Sequence, residues 1–348
     1  MEDFTGVRDN LRGDFENMAS SGDKIKIGII GVGRMGMYHA NVLTTLNNDV
    51  EFVGVYDIDS ERSSSIAETY NTRAFDSIEG LLERSQGVCI AVPTHLHYEI
   101  AKQALMQGVH TLVEKPVACN VEEAQDLVRT AKDRELIFQV GHVERFKGAV
   151  LELRNIVQNP YLVEARRLSP WINKEWDTGV VLDLMIHDID IVLSLIKSEV
   201  LHIDAVGKIV KSSYEDIASA VLQFENGAIA NITSSRLSET RVRTMSISQQ
   251  GAFVNLNFET QDINIYRGSS AKFFVVSQRE IDYKQEFFVE RVLVQKENAL
   301  KEELQHFADC IAGRAAPIVS GDDDIKTLRI TLEIVDKIYG KLNSSFGG

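Results

Sequence analysis

The sequence is poor in cysteine and has no long apolar run. Its three cysteines, Cys89, Cys119 and Cys310, are odd in number and far apart, so they form neither a disulfide framework nor a Cys-x-x-Cys metal site. No run approaches the roughly 18 apolar residues that span a bilayer. Residues 1–23 carry six acidic groups and lack the apolar stretch of a secretory signal. We therefore expect an N-terminal extension over residues 1–23, a reducing compartment and a cytoplasmic protein.

Positive charge is also scarce, since 37 Lys and Arg face 51 Asp and Glu and the formal net charge is −14. This balance disfavours sequence-independent binding to nucleic acid or to an anionic membrane surface. The hydrophobic share of 44% is typical of a globular protein, and 348 residues suggest two domains at roughly 150 residues each. We expect a small-molecule partner, with neither nucleic acid nor membrane as a partner.

The two halves of the chain differ in pattern. Over residues 24–143, short apolar runs of strand type alternate with helical stretches, which predicts a doubly wound parallel sheet covered on both faces. Over residues 144–342, a helix (144–158), a strand (161–168) and a long apolar segment of helical length (180–196) precede six strand-type runs. Because no helical stretch separates those runs, and Glu225-Asn226-Gly227 is a strong hairpin signal, we expect an open antiparallel sheet. The fold class is therefore α/β, with an α+β second domain for substrate binding and oligomerisation.

A glycine-rich turn follows the first predicted strand. Gly31, Gly33 and Gly36 form a Gly-x-Gly-x-x-Gly pattern that opens the first helix, and Asp57 ends the second strand 21 residues after Gly36. This context is typical of a Rossmann domain, in which the turn holds a pyrophosphate and the acid holds a ribose. A carboxylate repels a 2′-phosphate, so the pattern favours NAD over NADP. The cofactor-binding residues predicted here are Gly31, Gly33, Arg34, Met35, Gly36 and Asp57.

Two later strands end in further candidate residues. Carboxyl ends of parallel strands form the ligand crevice, so the segments after them should face the cofactor. Lys115 can do so or can simply be exposed to solvent. A His95-x-His97 pair could hold a metal, but His97 at the start of a helix near the nicotinamide is the favoured interpretation, so we expect no metal. The predicted cofactor contacts from these segments are Pro93, Thr94, His97, Glu114 and Lys115.

The apolar segment 180–196 carries an acid and an imidazole. Asp183 and His187 stand four residues apart, which places them on one face of a buried helix, with Asp190 three residues further. Such charged groups must be paired or must line a cavity. The sequence leaves two interpretations open, a structural pair and a proton-accepting base.

Three motifs in this order resemble the glucose-fructose oxidoreductase / inositol dehydrogenase family of NAD(P)-dependent sugar oxidoreductases. They are the Gly31–Gly36 turn, Glu114-Lys115-Pro116 and Asp183-x-x-x-His187-Asp188. The resemblance covers nearly the whole chain from Lys24 and implies that Lys115, Asp183 and His187 form the catalytic set. We predict His187 as general base, Lys115 as the group that stabilises the reacting oxygen, and Asp183 as the residue that orients the other two.

Residues 141–146 and 179–190 are similar to a branch of that family. The branch oxidises the 3-hydroxyl of UDP-N-acetylglucosamine, before transamination to a 3-amino sugar of lipid A-type glycolipids. The branch continues with Asn-Pro where this chain has Lys147-Gly148.

This similarity predicts residues for the substrate and leaves alternatives open. Arginines suit a diphosphate, and loop tryptophans can stack on uracil or on the sugar, or pack on their own domain. The candidate cations are Arg145, Lys147, Arg166, Arg167 and Lys174. The predicted substrate residues are Arg145, Arg166, Trp171 and Trp176. A dehydrogenase of inositol or a free sugar, a redox-neutral glycosidase and a non-catalytic NAD-binding sensor are the alternatives. We also expect a homodimer or homotetramer.

Overall fold

The computed structural model describes residues 24–268 and 287–345, and two β-sheets organise this part of the chain. The predicted extension over residues 1–23 lies outside the described residues. No helix in the described ranges is both long enough and apolar enough to span a membrane.

The first sheet is parallel and has the strand order β2-β1-β3-β4-β5. Its inner strands are buried on both faces. Consecutive residues such as Val88 and Cys89 point to opposite faces, and each belongs to a different buried apolar cluster. The prediction of a doubly wound sheet is confirmed. The strands are β1 Ile25–Ile30, β2 Val50–Tyr56, β3 Gly87–Ile90, β4 His110–Glu114 and β5 Phe138–Gly141. The helices are α1 Arg34–Leu43, α2 Ser60–Thr69, α3 Ile78–Leu82, α4 His97–Met106 and α5 Val121–Asp133.

The second sheet has eight strands in the order β13-β12-β11-β10-β6-β9-β8-β7. Its neighbours pair antiparallel except β6 and β9, which pair in parallel. The predicted open sheet is confirmed, and the predicted hairpin turns at Gly227, which has positive φ, as does Gly251 in the turn between β10 and β11. The strands are β6 Leu162–Leu168, β7 Val200–Lys208, β8 Ile217–Phe224, β9 Ile229–Ser235, β10 Val242–Gln249, β11 Ala252–Asn257, β12 Asp262–Gly268 and β13 Phe287–Val292. The pattern analysis did not predict β13.

Each of two predicted helices is divided in the structure into a short turn of another helix type and an α-helix. The segment 144–158 is a 3₁₀ turn, Val143–Phe146, followed by α6, Gly148–Ile156, because Lys147 between them has extended backbone. The segment 180–196 is a π-helical turn, Val181–Met185, followed by α7, Ile186–Leu195. We refer to Val181–Met185 as the π turn.

The last two helices pack on the sheets, one on the first sheet and the other on both. Helix α8, Ala299–Ile311, adds Leu304 and Phe307 to the apolar cluster on one face of the first sheet. Helix α9, Gly321–Ser345, packs Leu328 against the first sheet and Ile334 against the second. Because one helix contributes to both cores, the carboxyl ends of β4 and β5 are held opposite the second sheet.

Candidate active site

The turn between β1 and α1 leaves an open concave surface at the helix N-terminus. A Cβ on Gly36 would lie 1.9 Å from the Gly31 carbonyl oxygen, so the helix packs this closely on the strand only with glycine. A Cβ on Gly33 would meet nothing within 4 Å, and no side chain caps the first turn of α1. Backbone N–H groups at the positive end of a helix therefore border open space, as a diphosphate group requires.

Asp57 is fixed beside that turn. Its carboxylate accepts hydrogen bonds from the backbone N–H groups of Val32 (2.7 Å) and Asp59 (2.9 Å), and the residue is buried. The half-exposed guanidinium of Arg62 lies 3.3 Å from the same carboxylate and offsets part of its charge. The predicted ribose-binding acid is thus held at the edge of the turn.

Lys115 reaches from the end of β4 to the π turn. Its Nζ donates a hydrogen bond to the Asp183 carbonyl oxygen (2.8 Å) and lies 3.5 Å from the Asp183 carboxylate. The ammonium is mostly buried, so the interpretation as a solvent-exposed lysine is wrong. Behind it, the Glu114 carboxylate is hydrogen-bonded to the buried His39 ring (2.9 Å). Burial opposes ionisation of Glu114, but His39 and Lys115 hold its pKa below the usual value.

His187 lies on the first turn of α7, next to the same cleft. Burial, together with the positive charges of Lys115 and Arg167, holds its pKa well below the usual value. Its Nδ1 is buried without a hydrogen-bond partner, which leaves Nε2 as the ring nitrogen able to reach the cleft. The expected Asp183–His187 pair does not form among the described residues, because the Asp183 carboxylate turns to Lys115. A neutral imidazole in this position can accept a proton at neutral pH.

A cleft of about 780 Å³ connects these groups with the second sheet. Although the chain is acidic overall, seven cationic and three acidic side chains line it. The cations are Arg34, Lys115, Arg167, Lys174, Arg236, Arg241 and Arg243, and the acids are Glu114, Glu144 and Asp183. Arg241 and Arg243 share one carboxylate, that of Glu259, at 3.1 and 3.2 Å. The cleft is therefore suited to an anionic ligand.

Comparison with known proteins gives consistent matches over both halves. Residues 25–142 match the family described as "Oxidoreductase family, NAD-binding Rossmann fold", and residues 145–253 match the "GFO/IDH/MocA C-terminal domain". The chain is similar to UDP-N-acetylglucosamine 3-dehydrogenase of Acidithiobacillus ferrooxidans, with 32% identity over 89% of this chain and 96% of that protein. The chain belongs to the GFO/IDH/MocA family of oxidoreductases.

Solved and curated relatives within the GFO/IDH/MocA family support the assignment. The crystal structure of the Acidithiobacillus ferrooxidans enzyme superposes with a TM-score of 0.83 at 30% identity, covering 92% of this chain and 99% of that one. Glucose-6-phosphate 3-dehydrogenase of Bacillus subtilis is 30% identical over 70% of this chain and 76% of that protein. The scyllo-inositol 2-dehydrogenase (NAD(+)) of the same organism is 24% identical over 88% of this chain and 92% of its own length.

This GFO/IDH/MocA protein is an oxidoreductase whose cofactor is NAD. The open surface at Gly33 and the uncapped first turn of α1 fit its diphosphate, and Asp57 fits its adenosine ribose. Arg34 and Met35 line the cleft at the start of the same helix. Pro93 and Thr94 follow β3 at the sheet edge where Lys115 follows β4. Within residues 24–268 and 287–345, no three His, Cys, Asp or Glu side chains are grouped to hold a metal ion.

His97 does not offer a nitrogen to the cofactor. Its Nδ1 lies 2.8 Å from the Pro116 carbonyl oxygen, and its Nε2 lies 2.9 Å from the Val92 carbonyl oxygen. The ring is buried and joins the loops that follow β3 and β4. We therefore replace the predicted cofactor contact of His97 with a structural role.

Two of the predicted substrate arginines lie away from the cleft. Arg145 is buried and forms a bidentate pair with Asp190, with Nη2 2.7 Å from Oδ1. Arg166 lies on the opposite face of β6 from Arg167, in a polar groove with Thr244 and other residues of the second sheet. Both predictions of a substrate contact are corrected, because one side chain is already paired and the other faces the wrong side of the sheet.

The two tryptophans occupy different positions. Trp176 lines the cleft, but Lys174 Nζ and the Arg236 guanidinium lie 4.0 and 4.1 Å from its ring centre. Trp171 packs against Trp176 and is not among the residues that line the cleft. The ring of Trp176 is therefore already in contact with two cations, and Trp171 packs beside it without lining the cleft.

Three arginines of this GFO/IDH/MocA cleft, Arg236, Arg241 and Arg243, were not predicted from the sequence, whereas Arg167 was among the candidate cations. Arg167 is buried between Glu144 (3.2 Å) and Asp188 (2.7 Å), which balance its charge at the cleft wall. The buried apolar residues Val163 and Ala165 set the phase of β6 and place Arg167 on the cleft face. Arg236, Arg241 and Arg243 lie at the end of β9 and around the start of β10, in no recognisable motif.

Proposed function

We propose that this protein uses NAD to oxidise the 3-hydroxyl of UDP-N-acetylglucosamine to the 3-keto sugar. The observation that carries the reaction type is the position of Lys115 Nζ, hydrogen-bonded to the Asp183 carbonyl at 2.8 Å, in the same cleft as the neutral His187. The substrate is supported by the cationic cleft and by the similarity to the Acidithiobacillus ferrooxidans dehydrogenase.

The residues of the chain divide the work of alcohol oxidation between them. His187 takes the proton from the sugar hydroxyl, because its imidazole is neutral at physiological pH. Lys115 donates a hydrogen bond to the same oxygen and stabilises the negative charge that develops on it. Asp183 holds the ammonium in place through its carbonyl and its carboxylate. The Gly33 turn and Asp57 would hold NAD, which would supply the acceptor for the hydride from the carbinol carbon.

The charges in the cleft favour a phosphorylated substrate over an uncharged one. Arg34 lies at the turn suited to the cofactor diphosphate, whereas Lys174, Arg241 and Arg243 lie on the side of the second sheet. Guanidinium groups bind diphosphates through paired hydrogen bonds. An inositol or a free sugar would leave these cations without a ligand anion, so such a dehydrogenase is the weaker candidate.

The product identifies the substrate. Wild-type protein is incubated with NAD, UDP-N-acetylglucosamine and hydroxylamine, which traps the ketone and draws an unfavourable equilibrium forward. We expect the oxime of the 3-keto sugar by mass spectrometry, and none with Lys115→Met. Lys102→Met, which breaks a partly buried pair with Asp126 outside the cleft, is the matched control and should behave as wild type.

Parallel incubations contain glucose 6-phosphate, myo-inositol and glucose. An oxime from one of these sugars and none from UDP-N-acetylglucosamine would overturn the substrate assignment and leave the dehydrogenase assignment in place. Tight NAD binding without oxime from any of the four sugars would favour the non-catalytic sensor.

A further inference from the structure

The start of the π turn is held from outside by one acidic residue, Glu215. The first N–H groups of a helical segment have no partner within the segment. Here the Val180 N–H donates to the Glu215 carbonyl oxygen (3.0 Å), and the Val181 N–H donates to the Glu215 carboxylate (3.1 Å). Glu215 lies just before β8, more than 30 residues along the chain, and is buried. A single distant residue therefore satisfies two successive N–H groups of this turn.

The carboxylate of Glu215 is itself fixed. Its second oxygen accepts a hydrogen bond from the Tyr339 hydroxyl of α9 (2.9 Å). A Cβ on Gly179 would lie 1.9 Å from Glu215 Oε1, so the acid approaches the backbone at a glycine. Arg236 Nη2 donates to both the Thr178 carbonyl (2.8 Å) and the Glu215 carbonyl (3.2 Å). The chain that leads into the π turn is therefore held by Arg236, which follows β9, and by Glu215, whose carboxylate is bound by Tyr339 of α9.

The neighbouring residue makes the support rigid. The Asp216 carboxylate accepts hydrogen bonds from the N–H groups of Val210 (2.8 Å), Lys211 (2.6 Å) and Ser212 (3.1 Å). These bonds close the loop that carries Glu215. Glu215 is therefore delivered by an ordered loop, not by a freely moving one.

The position of the π turn determines the position of Lys115. Asp183 N–H donates to the Gly179 carbonyl (3.0 Å), and the Asp183 carbonyl in turn accepts from Lys115 Nζ (2.8 Å). A displacement of the backbone at the beginning of the turn would therefore move Asp183, and with it the ammonium group of Lys115 that is hydrogen-bonded to Asp183. Displacements of about 1 Å in catalytic groups reduce rates on the order of a hundredfold.

We propose that Glu215 is a positioning residue that sets the Lys115–Asp183 pair for oxidation of the substrate. This role rests on the proposed function. Glu215 is not among the residues that line the cleft, and its hydrogen bonds go to the start of the π turn, Arg236 and Tyr339. An acceptor oxygen, not the negative charge, is what the Val181 N–H needs. Glutamine should therefore replace glutamate far better than alanine does.

The test compares Glu215→Ala with Glu215→Gln in the full-length, NAD-bound protein. We expect turnover of UDP-N-acetylglucosamine to fall at least about tenfold in Glu215→Ala and to stay within about threefold of wild type in Glu215→Gln. The Kd for NAD should stay within about twofold in both variants, because the cofactor turn is untouched. Amide hydrogen exchange at Val181, whose N–H loses its side-chain acceptor, should be at least about tenfold faster in Glu215→Ala only.

Two further variants separate positioning from stability. Tyr339→Phe removes one contact of Glu215 but keeps the Val181 bond, and Leu222→Ala weakens the core of the second sheet. Both should turn over substrate within about twofold of wild type. The role of Glu215 is overturned by unchanged exchange in Glu215→Ala, by equal losses in the Gln and Ala variants, or by an equal loss in Leu222→Ala. A wild-type protein that leaves UDP-N-acetylglucosamine unchanged contradicts only the proposed function, and the exchange result then decides the role of Glu215.

Discussion

The protonation state of His187 is set by burial and by its charged neighbours. An unperturbed imidazole is partly protonated near neutral pH, and the protonated fraction cannot accept a proton. Burial disfavours the imidazolium, and Lys115, Arg167, His142 and Arg243 all disfavour a further positive charge. The ring therefore remains neutral and can accept a proton through the physiological range.

This charge distribution predicts the pH dependence of the reaction. His187 becomes protonated only when the pH falls below its lowered pKa, so kcat/KM for the sugar should hold its plateau to well below pH 6.5. The profile is measured at saturating NAD from about pH 5 to about pH 9, and His187→Ala should lower turnover at least about a hundredfold. An acidic limb centred at or above pH 6.5, or a folded His187→Ala protein with normal turnover, would remove His187 from the role of base.

Sequence motifs located some residues of the site but not others. Asp57, Lys115, Asp183 and His187 were predicted because each belongs to a short pattern whose spacing relative to a strand or helix is local. The structure brings Lys115, Asp183 and His187 to one cleft.

The direction of a side chain depends on what it meets across the fold. Arg145 and Arg166 lie near Arg167 in sequence, but one is paired with Asp190 and the other faces the far side of the sheet. The partner of Arg145 is 45 residues away, so sequence alone could not supply it.

At the scale of elements, the 3₁₀ turn Val143–Phe146 is tied to α7 by a buried ion pair. Arg145 donates to the Asp190 carboxylate (2.7 Å) and to the Asp190 carbonyl (3.0 Å). Burial opposes ionisation of Asp190, but His142 and Arg145 hold its pKa below the usual value. Because α7 carries His187, this pair fixes the catalytic helix against the segment that leaves the first sheet.

Arg145→Met should therefore affect stability and not substrate binding. Removing one partner of a buried pair leaves an uncompensated charge, so the free energy of unfolding should fall by about 3 kcal/mol. Urea denaturation measures this loss, and adding Asp190→Asn to the same protein should recover part of it. The KM for the sugar should remain within about twofold of wild type. Normal stability with a strongly raised KM would restore Arg145 to the substrate site.

Elements were predictable where the pattern is local. Alternating apolar residues and the Gly227 and Gly251 turns identify most strands of the second sheet without its topology. The place of β6 between β9 and β10 was not predictable, because both partners lie more than 60 residues further along the chain. The π turn was likewise missed, since the groups that hold its first N–H bonds come from Glu215.

At the scale of the whole molecule, the two halves supply different parts of one reaction. The first sheet presents the glycine-rich turn and Lys115. The second half presents His187 and the three arginines at the end of β9 and around the start of β10. Helix α9 packs on both sheets and so holds these groups in a fixed position relative to one another. The chain is strongly acidic overall, but the side chains that line this cleft are mostly cationic. The cleft can therefore attract an anionic ligand that the net charge of the protein would repel.

Transfer of a labelled hydrogen tests the proposed reaction most directly. UDP-N-acetylglucosamine carrying deuterium at carbon 3 is mixed with NAD and a stoichiometric amount of the full-length protein, in the presence of a ketone trap. We expect the deuterium on carbon 4 of the nicotinamide and a trapped 3-keto sugar without label, in equal amounts. Deuterium that stays on the sugar, or that is lost to water without labelling the nicotinamide, would contradict oxidation at this position.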